Sequence, residues 1–184
     1  MNLPNKLIVL RTFTIPFIVI LMYMDSPYAK LAAFVLFCFG AFTDFIDGKI
    51  ARNRNQVSDF GKFWDPLSDK IMLNVILLAF VDMKLIPAWM IMISLVRDFS
   101  INETKQMAKA NGITLGSEMS GKIKGAFQNL TIFLGLLFLY LEYPKVTELP
   151  LNILFVTMLI SIIFMCYSMV IYFSKNKHFI FKGA

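Results

Sequence analysis

The chain has 184 residues, 58% of them apolar, and a formal net charge of +6. Its mean hydropathy is +0.67 and its pI is near 9.3. Soluble domains carry about 45–50% apolar residues, so the composition excludes an ordinary soluble globule and points to an integral membrane protein. Aromatic residues make up 15% of the chain, mostly phenylalanines inside apolar runs. With no basic–aromatic platform for stacking bases, the positive charge suits anionic lipid rather than nucleic acid.

A helix needs about 20 residues to cross the hydrocarbon core, and six segments reach that length. The first, 4–24, has no small-residue cleavage site after its apolar run, so it reads as a retained helix rather than a signal peptide. It stops at "DSPYAK". The second, 29–52, opens on "LAAFVLFCFGAF" and turns polar at Thr43. The third, 61–82, does the reverse, running from "GKFWDPLSDK" to "IMLNVILLAFV". It places Pro66 in its first turn or two, where proline is tolerated. The fourth, 86–110, is apolar to Val96, then amphipathic, and "NGITLGS" breaks it. The fifth, 119–142, opens on "SGKIKGAFQN" and becomes apolar. The sixth, 149–173, is apolar throughout and leads into a basic tail. Cys38 and Cys166 lie in apolar runs without metal-ligand spacing and read as buried packing residues. Trp64 and the tail aromatics suit interface anchors.

Lysine and arginine set orientation. Threaded through six spans, fifteen of the eighteen fall on one side and only Lys30, Lys84 and Lys145 on the other. Both termini are therefore expected in the cytoplasm. The polar halves of spans two to five share that side. Polar residues at membrane depth face a bundle interior or a wet cavity. The expected fold is all-α: one polytopic domain over 1–184, with six transmembrane helices enclosing a cytosol-facing polar cavity.

Asp44 and Asp47 stand three apart, and Asp65 and Asp69 four apart. Each pair shares one face of its helix. The short link at 53–60 makes spans two and three antiparallel neighbours, so four carboxylates can converge. Together they carry −4, and like charges this close resist joint ionisation. Arg52 and Lys70 offset part of that charge. Two Mg²⁺ or Mn²⁺ would cancel it, and hard oxygen ligands suit those ions, whereas no His/Cys cluster supports zinc. Gly48 and Ala51 leave a groove beside the carboxylates, with Arg52 at its end and more room at Gly61. Metal ions beside a shallow groove suit a nucleotide diphosphate. Asp59 reads as a cap or turn residue.

Read with gaps, the stretch is Asp44-x2-Asp47-Gly48-x2-Ala51-Arg52-x8-Gly61-x3-Asp65-x3-Asp69, eight fixed residues over 26 positions. It resembles the signature of the CDP-alcohol phosphotransferase family, with every motif position present. The resemblance implies a six-helix membrane enzyme, often a homodimer, with a two-metal site facing the cytosol. Such enzymes pass a phosphate-linked group from a CDP-linked donor to an alcohol and release CMP. By that resemblance Asp44, Asp47, Asp65 and Asp69 are metal ligands, and Asp69 is also the general base. Asp44, Asp47, Gly48, Ala51, Arg52, Gly61 and Asp65 would line the CDP site.

The flanks "NLPNKLIVLR", "RDF" (97–99) and "GKIKGAFQ" (121–128) resemble one bacterial branch of the family. That branch makes phosphatidylglycerophosphate in the plasma membrane from CDP-diacylglycerol and glycerol 3-phosphate. The stretch "SINETKQMAKA" departs from it, with Glu103 and Lys105 where a second arginine is common. A phosphorylated acceptor needs fixed cations, and Arg97, Lys105, Lys122 and Lys124 are the candidates. Arg97 follows a dozen apolar residues and should sit deepest, with Asp98 as its ion-pair partner. Asn5 and Arg11 are candidates for the donor phosphates or for juxtamembrane anchoring. Serine, inositol phosphate or phosphatidylglycerol are the alternative acceptors. A divalent-cation transporter is the rival from another class, but it would spread its acids across the bilayer rather than keep them on one side.

Overall fold

The computed structural model describes residues 3–53, 59–110 and 119–180. These residues form six helices and no strand. They are α1 (Leu3–Tyr23), α2 (Pro27–Asn53), α3 (Asp59–Asp82), α4 (Ala88–Ala110), α5 (Met119–Leu141) and α6 (Glu148–Ile180). The boundaries follow local chemistry. Pro27 occupies the first position of α2, where its missing N–H costs nothing. α3 starts at Asp59, as a capping aspartate predicts. That start places Pro66 at the eighth residue, deeper than expected, where it removes the donor for the residue 62 carbonyl. Glu148 stands in the first turn of α6, where a negative charge meets the positive end of the helix. α6 also outruns the expected end at 173. Its basic tail contains no glycine or proline before Gly183 and its lysines favour helix, so the helix continues to Ile180.

Two stretches, Lys122–Leu141 and Glu148–Ser174, are long and apolar enough to cross a membrane. α1 and α2 contribute shorter apolar runs, Ile8–Tyr23 and Pro27–Thr43. α1 packs against α2 and α3, α5 against α2, α3 and α6, and α4 against α3 and α6. The core is aliphatic and thioether-rich, with Ile18, Met22, Ile76, Phe80, Met90, Ile132, Leu136, Leu154 and Met158 fully enclosed.

Spans two and three are expected as antiparallel neighbours, and the link between them, 54–58, lies outside the described residues. Among the described residues the close backbone contacts of α2 are with α1 and α5. α2 and α3 meet through side chains, where Met72 Sδ and Arg11 Cγ lie 3.7 and 3.8 Å from the position of a Cβ on Gly40. Beside that contact lies a cavity bounded by α2, α3 and α5. Cys166 is another departure. It is exposed and Cys38 is half-buried. Cys166 borders an apolar groove of Met92, Ile93, Val96 and Met169 between α4 and α6. An apolar residue is as stable against lipid as in the core, so its burial did not follow from its surroundings in sequence.

α5 approaches α3 most closely at Gly135, where a Cβ would overlap the ring of the fully buried Phe80. Gly135→Ala is therefore expected to destabilise the bundle by about 1–3 kcal/mol, the usual cost of overpacking. Thermal unfolding in detergent should show a lower midpoint, and a midpoint equal to wild type would refute the tight contact.

Candidate active site

The polar halves of α2 and α3 carry the aspartate motif, Asp44 and Asp47 on α2, Asp65 and Asp69 on α3. The side chains of Asn5, Asp44, Asp47, Gly48, Ala51, Arg52 and Asp65 lie outside the described residues. Among the described residues no three His, Cys, Asp or Glu side chains stand together. Of the motif, Gly61 and Asp69 are described, both half-buried.

Asp69 lines a cavity of about 570 Å³ between three helices. Phe37 and Ala41 of α2, Met72 of α3, and Asn129, Leu130 and Phe133 of α5 form the rest of its wall. Immediately before Asp69, Ser68 is fully buried and accepts a hydrogen bond from Arg11 Nη2 at 2.9 Å. Arg11 is only 2% exposed. Juxtamembrane anchoring would leave it at the surface. Instead it fills the α1–α3 interface, because a buried guanidinium needs acceptors and Ser68 supplies one. Trp64 Nε1 donates to Thr12 Oγ1 at 3.2 Å, so this expected interface anchor also ties α3 to α1. The two bonds hold the polar half of α3 from behind.

Lys70 points a different way. Successive helical residues diverge by about 100°, and Lys70 lines a second cavity, of about 260 Å³, on the α4 side of α3. Arg97, Lys105, Lys122 and Lys124 all line it too. These are the four cations expected to meet an acceptor phosphate, gathered from α4 and α5. Arg97 is 9% exposed and donates from Nη1 to Asp98 Oδ1 and from Nη2 to Ser168 Oγ, both at 2.8 Å. Asp98 also accepts from Lys124 Nζ, at 2.7 and 2.9 Å to its two oxygens. It is thus partner to two cations, where sequence spacing suggested only Arg97. Lys70 Nζ donates to Asn102 Oδ1. Lys105 Nζ sits 5.9 Å from the centre of the Tyr172 ring. Lys122 is exposed at the mouth. Five cations surround one carboxylate here, a surplus that favours an anionic occupant. Lys70, Asn102, Ser168 and Tyr172 were not read as site residues. Their polar type was visible in the sequence, but the cavity they share was not.

A polar seam runs inward from this cavity. Gln128 Nε2 donates to Ser94 Oγ at 2.8 Å, Ser161 Oγ to the Lys124 carbonyl at 2.9 Å, and Thr131 Oγ1 to Thr157 Oγ1 at 3.0 Å. Each bond joins two helices, satisfying groups that an apolar surrounding would otherwise penalise.

Comparison with known proteins adds an independent line. A family model described as CDP-alcohol phosphatidyltransferase matches residues 1–173. A Bacillus subtilis protein named CDP-diacylglycerol–glycerol-3-phosphate 3-phosphatidyltransferase is 36% identical over 135 residues, covering 67% of this chain and 70% of its own. A Rickettsia bellii protein of the same name is 36% identical over 108 residues, 57% of this chain and 58% of its own. A third, from Pseudomonas fluorescens, is 42% identical over 81 residues, 44% of this chain and 42% of its own.

Proposed function

Because this chain belongs to the CDP-alcohol phosphatidyltransferase family, we propose that it transfers the phosphatidyl group of CDP-diacylglycerol to glycerol 3-phosphate. CMP and phosphatidylglycerophosphate are the products, in a step of phospholipid synthesis. The names of its relatives support this donor and acceptor. The observation that carries the assignment is the pair of cavities flanking α3. Asp69 lines one and its neighbour Lys70 lines the other, basic one. A carboxylate and a cation cluster served by adjacent positions of one helix suit the joining of two phosphate-bearing substrates.

In this reading all six helices span the plasma membrane, with both termini and the site in the cytoplasm, and the enzyme acts as a homodimer. The separation of charge supports the orientation. Lys30, Lys84 and Lys145 line a cavity at one end of the bundle, while Lys70, Arg97, Lys105, Lys122 and Lys124 gather at the other. Asp44, Asp47, Asp65 and Asp69 form an all-oxygen donor set, which fits Mg²⁺ or Mn²⁺. The open cavity beside Asp69 leaves room for ions there. The chemistry that two such ions supply when bound is neutralisation of the pyrophosphate and of the charge developing on CMP. Gly48, Ala51, Arg52 and Gly61 border the nucleotide. Arg97, Lys105, Lys122 and Lys124, with Lys70, hold the acceptor phosphate. Asp69 takes the proton from the acceptor hydroxyl. That oxygen attacks the phosphorus bearing diacylglycerol, and the bond from phosphorus to the CMP oxygen breaks. Asn5 and Arg11 are the donor-phosphate candidates on α1, and Arg11 is also held against Ser68 of α3.

The test is CMP release by purified protein with CDP-diacylglycerol and each of glycerol 3-phosphate, inositol phosphate, serine and phosphatidylglycerol. Glycerol 3-phosphate should be the preferred acceptor, and preference for another would reassign the enzyme within its family. EDTA should stop CMP release, and Mg²⁺ or Mn²⁺ should restore it. Metal flux into proteoliposomes lacking CDP-lipid would instead favour the transport reading. Lys122→Gln should raise the KM for glycerol 3-phosphate about tenfold, the worth of one charge-assisted hydrogen bond, with kcat nearly unchanged. A rise confined to the KM for CDP-diacylglycerol would place Lys122 on the donor side.

A further inference from the structure

At the end of the bundle away from Asp69, the last turns of α1, α3 and α5 meet the first turns of α2 and α6 around a cavity of about 420 Å³. Its wall is amphipathic. Leu85, Leu139, Val146 and Leu151 supply apolar surface, and Lys30, Lys84 and Lys145 supply charge. These are the three cations that the charge count assigns to the sparse side. A side with so few lysines has placed all of them around one opening.

The carboxylates at the rim form no ion pair with these lysines among the described residues, although Asp25 does attract Lys30. Asp25 Oδ1 accepts from the Tyr143 hydroxyl at 2.6 Å. Glu142 Oε2 accepts from the N–H and Oγ1 of Thr147 at 2.6 and 2.8 Å. Lys30 Nζ donates to the Met22 carbonyl. Among the described residues, Lys84 Nζ and Lys145 Nζ make no hydrogen bond or ion pair. The backbone places Lys84 with some care. Its φ is 60°, in the left-handed region that glycine takes most readily. Its N–H bonds the Val81 carbonyl at 2.9 Å and the Leu85 N–H bonds that of Phe80 at 2.8 Å. These two bonds close the C-terminus of α3, where a left-handed residue is common, and they leave the exposed Lys84 side chain at the cavity.

We propose that this cavity binds the headgroup of an anionic phospholipid. The lysines meet its phosphate, and the leucine and valine wall meets the first methylenes of its chains. The inference rests on the membrane placement proposed above, since a lipid reaches this end only if it lies at the bilayer surface.

Short-chain phosphatidylglycerol, short-chain phosphatidylcholine and inorganic phosphate are titrated calorimetrically into the purified full chain in neutral detergent. Wild type should bind phosphatidylglycerol at least about tenfold more tightly than phosphatidylcholine, because the choline cation of the latter offsets its phosphate and is repelled by the lysines. Lys84→Gln/Lys145→Gln should lose that preference. Lys84→Gly/Lys145→Gln removes the same charges while suiting the left-handed turn, so it reports binding even if the glutamine variant folds poorly. Equal binding of phosphatidylglycerol by wild type and variants would overturn the proposal. So would inorganic phosphate binding as tightly as phosphatidylglycerol, which would mark a free-phosphate site. CMP release on the same preparations should be unchanged by either variant. A wild type that binds the lipid but releases no CMP would count against the transferase assignment alone.

Discussion

Asp69→Asn should abolish turnover while leaving most CDP-diacylglycerol binding in place. The substitution preserves shape and hydrogen-bonding capacity but removes the proton acceptor and one anionic metal ligand. Losing a positioned general base costs about 10²–10⁴-fold in rate. The loss of a metal ligand acts in the same direction, so the fall in kcat should reach the upper part of that range. Donor binding should persist because Asp44, Asp47 and Asp65 remain, along with the groove at Gly48 and Ala51. CMP release and CDP-lipid binding are measured on the same preparation. Full activity in Asp69→Asn would remove the base from this position, and loss of binding equal to the loss of turnover would make Asp69 a ligand only. Because Arg11 and Ser68 hold α3 from behind, the variant should fold as wild type does.

Asp98→Ala should have the largest effect on stability. Asp98 accepts bonds from both Arg97 and Lys124, and all three side chains are buried. Without it, two cations remain enclosed with no anion between them. Breaking a buried pair by removing one partner costs about 3–5 kcal/mol, and here one removal strands two charges. Thermal unfolding in detergent should show a drop of several degrees or more. Adding glycerol 3-phosphate should recover part of it, because an anion in the basic cavity replaces the missing charge. A midpoint equal to wild type would show that the three groups are solvated rather than buried. Rescue by glycerol itself, which has no phosphate, would argue against an anion site.

Much of this architecture was legible in the sequence, for a simple physical reason. A span must be apolar over a fixed length, and its ends must be polar. The six helices therefore fall within a few residues of the runs read from hydropathy, apart from α6, whose tail had no helix breaker to stop it. Arg97 was expected to lie deep and to pair with Asp98, and it does. Arg97, Lys105, Lys122 and Lys124 were picked for one chemical task and stand around one cavity.

What sequence could not supply was the direction of side chains across helices. Cys166 looked buried because lipid and core present the same apolar surroundings. Arg11 was left between a donor-phosphate role and juxtamembrane anchoring, and its bond to Ser68, 57 residues away, was not foreseen. Lys70 was grouped with the aspartates as a nearby counter-charge; it does attract Asp69, and it also reaches Asn102 of α4, which the sequence did not show. Adjacent positions on a helix face different neighbours, and composition alone does not say which.

The seam between α4 and its neighbours also bears on the order in which the chain can be assembled. Ser94, Arg97 and Asp98 find their partners at Gln128, Ser168 and Lys124, all of them later in the sequence. When α4 leaves the ribosome none of these exists, and Arg97 and Asp98 have only each other. An arginine or aspartate at the centre of a lone helix costs about 2.5–3.5 kcal/mol each on insertion. In the six-span placement proposed above, α4 would therefore settle in the bilayer only together with α5 and α6, which supply the missing partners and carry the two stretches long and apolar enough to cross a membrane. The basic cavity would be complete only at that step.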